Sequence, residues 1–266
     1  MSRTAWEQVQ LARHPKRPTS ITLIQSIFPD FLELHGDQQF SDDHAFIAGI
    51  ASLKDMPITI IAQEKGKTTE EKIKRNFGMP HPEGYHKAMR LASQAEKFHR
   101  PILFIIDTPG AYPGLGAEER GQALAIAKSI QTLFSIKTPI ISVVLSEGGS
   151  GGALAIGVAD QVWMFENATY SILSPEGFAS ILYKDASLAK NAAEDMKLTS
   201  NDLLKFGIID DIIKESNEGL HEGYLHTFEE LKEKLYDTFK LLSVIDINEL
   251  LEKRYQKYRK FGEFEG

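Results

Sequence analysis

Residues 145–157 read LSEGGSGGALAIG. Four glycines surround Ser150, between an apolar run and an alanine-rich one. A β-strand that ends in a tight turn and opens a helix gives this pattern. Two chemistries fit such a turn. In the first, Ser150 is a nucleophile in the pattern G-x-S-x-G, raised on an elbow between strand and helix. In the second, the backbone acts: the first N–H groups of a helix lack internal partners, and glycine lets a ligand approach them closely. A third reading makes the turn a close helix–strand packing device with no ligand.

Working outward, the stretch completes a unit that occurs three times. PITIIAQEKG (57–66), PILFIIDTPG (101–110) and PIISVVLSEGG (139–149) each begin with proline, continue as a β-branched apolar run and end in a glycine turn. Unbroken apolar runs of this length predict strands buried on both faces. Proline is tolerated where a strand starts because no ladder bond is lost there. Helices are expected between them. Ala88, Leu91, Ala92, Ala95 and Phe98 share a face over 83–100, and Leu124, Ala127, Ile130, Leu133 and Phe134 share one over 117–135. Further strands are expected at 44–53, 161–166 and 169–174. Beyond about Asp185 the chain reads as helical and charged, ending in an amphipathic helix and a frayed tail. Strand, turn and helix in repetition mean a layered α/β fold with crossover connections. No linker rich in Ser, Pro or Gly interrupts it, so one domain with helical arms is expected: an arm over 1–43, a core over 44–215 and an arm over 216–266.

The bulk properties narrow the classes. A net charge of −7 argues against a nucleic-acid protein, whose footprint is usually basic. With no cysteine in 266 residues there is no disulfide, thiolate zinc site or Cys nucleophile. The N-terminal twenty residues are basic without an apolar core, unlike a secretory signal. The longest apolar runs have strand length, not that of a membrane span. A cytoplasmic protein is expected.

A hydrolase built on Ser150 would need an acid, for which Asp185, Asp195, Asp210 and Asp211 are available, and a base, for which His221 and His226 are available. Both histidines lie in a polar stretch that reads as solvated surface, and an elbow does not need four glycines. Phosphate loops fail in detail. No Lys-Ser/Thr follows the glycines, and Gly149-x-Gly151-x-x-Leu154 lacks the last dinucleotide-binding glycine. The backbone reading gains from a second turn, DTPGAYPGLGAEERGQ (107–122), which also ends a buried strand and opens a helix. Two such turns at the same strand ends could face one pocket.

LARHPKRP, EKIKRNFGMPHPEGY (71–85), FIIDTPGAYPGLGAEERGQ, SEGGSGGALAIG and YSILSPEGFASILYKD together resemble the carboxyltransferase alpha subunits of bacterial acetyl-CoA carboxylase. The resemblance runs from about Ala5 to Phe261. It implies a crotonase-type superhelix of ββα units. It also implies transfer of a carboxyl group from carboxybiotin, borne on a separate biotin carrier protein, to acetyl-CoA, giving malonyl-CoA for fatty acid biosynthesis. The implied partners are a zinc-ribbon-bearing beta subunit in an α2β2 assembly and, in the full ATP-dependent complex, biotin carboxylase. No metal is expected in this subunit.

The resemblance places donors to the biotin ureido oxygen at Gly151 and Gly152, with Gly110 and Ala111 as additional donors. Gly148, Gly149 and Ser150 would line the substrate, Ser150 as a spacer. Tyr112 either walls the biotin slot or packs. Lys74 and Arg75, with Lys72, either form a solvated face or meet CoA phosphates or the acidic carrier. Glu176 holds a turn or a subunit contact, and His81 and His86 are too isolated for metal ligands. Because the released biotin nitrogen can take the acetyl proton, no protein base is required. A side chain at Gly151 or Gly152 is expected to disturb the donors while the fold largely survives.

Overall fold

The computed structural model describes residues 3–216 and 218–262; the expected frayed tail falls largely outside them. Among the described residues one mixed sheet organises the chain. Its strands are β1 (Leu32–Glu33), β2 (Phe46–Leu53), β3 (Met56–Gln63), β4 (Ile102–Thr108), β5 (Ile140–Gly149), β6 (Gln161–Phe165), β7 (Thr169–Ser171) and β8 (Asp211–Ile213). The order is β1-β2-β3-β4-β5-β6-β8, with β7 beside the end of β5. β1 and β3 run antiparallel to β2, and all pairings from β3 onward are parallel. The six expected strands are present. The short β1 and β8 are additional.

The helices are α1 (Ala5–Ala12), α2 (Ser20–Ile27), α3 (Thr69–Lys74), α4 (Pro82–Lys97), α5 (Leu115–Glu119), α6 (Gln122–Ser135), α7 (Ser150–Leu154), α8 (Pro175–Phe178), α9 (Ala189–Asp195), α10 (Ser200–Lys205), α11 (Leu225–Ser243) and α12 (Ile247–Arg259). α4 and α6 are the crossovers that carry the chain from β3 to β4 and from β4 to β5. Every residue of β4 is buried, as parallel strands covered on both faces require.

α4 buries Ala88, Leu91, Ala92 and Ala95 as expected, but Phe98 follows its last turn and is largely exposed. The helix expected over 117–135 is two helices. Gly121 interrupts it at φ 85°, a conformation glycine adopts without a Cβ penalty. The restarted α6 buries Gln122, Ala125, Ser129 and Leu133. Leu124 and Ala127, placed inward from the pattern, face outward, and Leu124 is 58% exposed.

The terminal helices are packed into the molecule. Leu23, Ile24 and Ile27 of α2 and Phe228, Leu231, Leu235 and Phe239 of α11 belong to the same apolar core as the sheet. α12 is fastened by Arg254, whose side chain is fully buried. Its Nε and Nη2 donate to the two carboxylate oxygens of Asp160 at 2.8 and 2.7 Å, Nη1 to Leu133 O and Ile136 O, and Nη2 also to Thr138 O. All five guanidinium N–H groups are satisfied, which a buried arginine requires.

Candidate active site

The ends of β3, β4 and β5 share one edge of the sheet, and both glycine turns lie there. In the first turn, Gly110 N donates to Thr108 Oγ at 3.0 Å, and that hydroxyl lies 2.6 Å from Gly78 O. Tyr112 N donates to Pro80 O at 3.0 Å. Gln122 Nε2 donates to both Pro80 O and Tyr112 O, and the Tyr112 ring stacks on His81 with centroids 4.2 Å apart. The turn is therefore clamped from several sides.

The second turn is bare. β5 runs to Gly149 and α7 begins at Ser150 without a side-chain cap, so its first N–H groups have no intrahelical acceptor. A Cβ on Gly149 would lie 2.1 Å from Pro109 O, and one on Gly152 would lie 2.6 Å from Gly110 C and 2.7 Å from Ala111 N. The two turns thus rest backbone against backbone. A Cβ on Gly148 would meet the Tyr170 ring at 2.8 Å, and Gly152 O accepts from the buried Gln63 Nε2 at 2.7 Å. Gly151 differs, since a Cβ there would reach Ile126 only at 3.4 Å. This corrects the expectation for Gly152: a side chain there meets backbone, so it cannot leave the packing undisturbed.

Ser150 is exposed at φ 49°, and with Gly151 it borders a cavity of about 920 Å³. Leu154, Ile172, Phe178 and Phe206 are among its mainly apolar lining, with Lys197 and Lys260 as its charged members. No histidine or carboxylate is among the described residues lining it. The other members of a hydrolase triad are engaged elsewhere. His221 lies against His14, and His226 is 88% exposed beside Glu230. Asp185 accepts from Ser187 N, Asp195 from Tyr183, Asp210 from Val162 N and Lys257, and Asp211 from Lys234. Ser150 has no base to activate it, which removes the hydrolase reading.

Gly148, Gly149, Ser150, Gly151, Gly152, Gly110 and Ala111 are thus brought together; of these Ser150 and Gly151 line the cavity, while Tyr112 packs on His81 and does not line it. Lys74 and Arg75 do not line the cavity: Lys74 is exposed and Arg75 donates to His44 O at 2.8 Å.

Beneath the turns lies a charged cluster that the pattern did not single out. Lys65 Nζ is 2.7 Å from Asp107 Oδ1 and 2.8 Å from Glu147 Oε2. Glu147 also meets Arg13 Nε at 2.7 Å, and Arg13 Nη1 meets Glu176 at 2.8 Å. Burial alone would raise the Glu147 pKa, but the Lys65 ammonium and Arg13 outweigh it and hold it at about 2. Burial pushes Asp107 upward despite Lys65. Lys65 is held above its ordinary value, since its two carboxylates outweigh its own desolvation. One sequence signal does point to these groups: in EKG, DTPG and SEGG a charge precedes each glycine turn.

A largely parallel sheet with two interlocked glycine turns at one edge is the crotonase-type carboxyltransferase architecture. It is shared with a transcarboxylase 12S structure at TM-score 0.68 and 19% identity, over 87% of this chain and 45% of that one. A Pseudomonas malonate decarboxylase hetero-tetramer chain matches at TM-score 0.67 and 15% identity, over 87% of this chain and 90% of that one. At such identities the likeness is one of fold. The sequence goes further: the model of the acetyl co-enzyme A carboxylase carboxyltransferase-like family matches residues 2–262, and the chain belongs to that family. It is 54% identical to the acetyl-coenzyme A carboxylase carboxyl transferase subunit alpha of Halalkalibacterium halodurans, over 97% of this chain and 80% of that protein. The protein of that name from Clostridium acetobutylicum is also 54% identical, over 98% of this chain and 95% of its own length.

Proposed function

We propose that the chain is the alpha subunit of an acetyl-CoA carboxylase carboxyltransferase, moving a carboxyl group from carboxybiotin to acetyl-CoA to give malonyl-CoA. The observation that carries this reading is the contact of two glycine turns at one sheet edge, which leaves uncapped helix N–H groups beside a large apolar cavity. Biotin fits such a place, having an apolar ring body and one polar ureido edge. When bound, it supplies the activated carboxyl group.

The residues of this chain then divide the work. The N–H groups of Gly151 and Gly152, with Ala111 behind them, stabilise negative charge developing on the ureido oxygen; the Gly110 N–H, expected as a further donor, is already given to Thr108 Oγ1. A single donor of this kind is worth about 2.7–4 kcal/mol. The apolar walls exclude water. Ser150 sets the bend of the turn. Tyr112 walls the slot from its place on His81, and Lys74 and Arg75 form an outer patch for CoA phosphate or an acidic carrier surface.

The core over 44–215 carries the glycine turns, and the segments 1–43 and 216–266 are its helical arms, the second of which contributes Tyr258 and Lys260 to the cavity. The partners are the beta subunit in an α2β2 assembly, the biotin carrier protein and biotin carboxylase, in the cytoplasm. Exposed apolar side chains at the cavity rim, Leu154 and Ile172, and on nearby helices, Leu115 and Leu124, support burial against a partner. Among the described residues no group of His, Asp and Glu is placed to hold a metal, and no helix is long and apolar enough to cross a membrane.

Co-expression with a beta subunit, followed by a malonyl-CoA-to-biotin transfer assay, tests the reading. The complex is expected to transfer the carboxyl group and the isolated chain is not. A complex without activity would refute the assignment.

A further inference from the structure

β4 and β5 lose register just before the glycine turns. Ile106 pairs with Val144, but Thr108 pairs with Gly148, so β5 advances from 144 to 148 while β4 advances from 106 to 108. Among the described strand pairings this is the one with a register shift. It sets Gly148 and Gly149 beside Thr108 to Gly110, where the backbones touch. Two carboxylates flank the irregularity. Glu147 N donates to Asp107 Oδ1 at 3.3 Å, and Lys65, from the end of β3, contacts both acids.

We propose that Lys65 is a positioning residue for carboxyl transfer: by bridging Asp107 and Glu147 across the register shift, it fixes the spacing of the two glycine turns. The proposal rests on the reading of those turns as the ureido-oxygen site. Lys65 acts at a distance from the reacting atoms, since its ion pairs go to the strands and not to the turns. Without its ammonium, two buried like charges oppose each other at the point where the turns have no slack. Ionised together, they push β4 and β5 apart. With one of them protonated, that carboxyl donates to the other and a bridge is restored.

The charged groups facing this cluster do not replace Lys65. Arg13, which follows α1, binds Glu147 on its other oxygen and is shared with Glu176 of α8. Glu64, beside Lys65, accepts from Ile21 N and Gly66 N and adds a further negative charge near Asp107, partly offset by Arg75. No other cation bridges Asp107 to Glu147 among the described ion pairs.

The test uses the complex with the beta subunit and compares wild type, Lys65→Met and Lys65→Met/Asp107→Asn. Misplacement of about 1 Å costs on the order of 10²-fold in rate, so Lys65→Met is expected to lose at least about tenfold in kcat at about pH 8.5, with KM for malonyl-CoA nearly unchanged. The loss is expected to shrink as the pH is lowered, because a proton on one of the two acids removes the repulsion between them. The double variant is expected to recover most of the rate. Amide hydrogen exchange over residues 148–152 is expected to quicken in Lys65→Met and to slow again in the double variant.

A merely structural lysine would lower the melting temperature and leave kcat per folded complex, its pH profile and the local exchange alone; that result overturns the proposal. Should Lys65→Met not fold, a folded double variant with near-normal kcat supports the proposal and one with lost kcat overturns it. A wild-type complex without transfer would sink the functional reading instead, while the exchange experiment still decides whether Lys65 holds the turn.

Discussion

The two glycine turns meet at one place but are built by opposite means. The turn at 109–112 is held by side chains, with Thr108 beneath it, Gln122 gripping Pro80 O and Tyr112 O, and His81 stacked on its tyrosine. The turn at 148–152 has no side-chain cap; it lies backbone against the first turn, and the one side chain that grips it, Gln63, does so through Gly152 O. The difference separates anchoring from presentation. In the first turn a side chain takes an N–H, that of Gly110; in the second the side-chain grip is on a carbonyl, and on the proposed reading this leaves its N–H groups to a ligand. Glycine lets the two backbones lie close enough.

Breaking the contact itself should have the largest effect. Gly152→Val places branched carbon where a Cβ already lies 2.6 Å from Gly110 C. Transfer by the complex is expected to fall on the order of 10²–10³-fold, the cost of a lost oxyanion donor. The melting temperature should fall with it, because the two turns must separate. Near-normal stability together with normal turnover would show that the contact is dispensable.

Gly151→Val sharpens the comparison, because residue 151 faces the cavity and its Cβ would meet only Ile126 at 3.4 Å. Turnover is expected to drop about tenfold or more through obstruction of the approach to the donors, with the melting temperature nearly that of wild type. A fall in melting temperature matching that of Gly152→Val would erase the distinction between the two glycines.

The charges beneath the turns give a smaller, pH-dependent effect. Glu147 is held at about 2, below its ordinary 4.5, by Lys65 and Arg13 against the opposing push of burial. Its folded value is the lower one, so its contribution is complete above about pH 4.5 and is lost as the pH falls toward about 2. The stability gap between wild type and Glu147→Gln, followed by urea denaturation, should narrow over that window. A gap that stays constant or widens would mean that the carboxylate is not stabilised by its neighbours.

Ser150→Ala should matter least. The side chain is exposed and lacks a base, so transfer is expected to stay within about twofold of wild type, as for surface changes worth about 0.5 kcal/mol. A fluorophosphonate should leave Ser150 unlabelled; stoichiometric labelling would restore the hydrolase reading.

The strands and both turns were legible in the sequence because buried parallel strands are apolar without a break and glycine marks where they end. The motif resemblance carried the family. The face of α6 was misplaced because Leu124 and Ala127 fit a helical period as well as Ala125 and Ser129 do. Periodicity cannot tell which apolar residues turn to the core and which stay exposed, nor foresee that Gly121 restarts the helix. β1 and β8 are too short to produce a pattern. The Lys65, Asp107 and Glu147 cluster stayed hidden because its members lie 40 and 82 residues apart and meet only through the order of the strands. The same pairing order hid the separate tasks of Gly151 and Gly152, which look alike until the first turn is laid against the second.

Arg254 also bears on the order in which the molecule is completed during synthesis. Its acceptors, Leu133 O, Ile136 O, Thr138 O and Asp160, lie 94 to 121 residues earlier in the chain. While the nascent chain is still on the ribosome, those oxygens wait for a donor that is made at least 94 residues after them. The sheet and its turns can form beforehand, but the outer wall of the cavity closes only when α12 arrives, so a stalled or shortened product would carry the turns with their apolar flank open to chaperones and proteases.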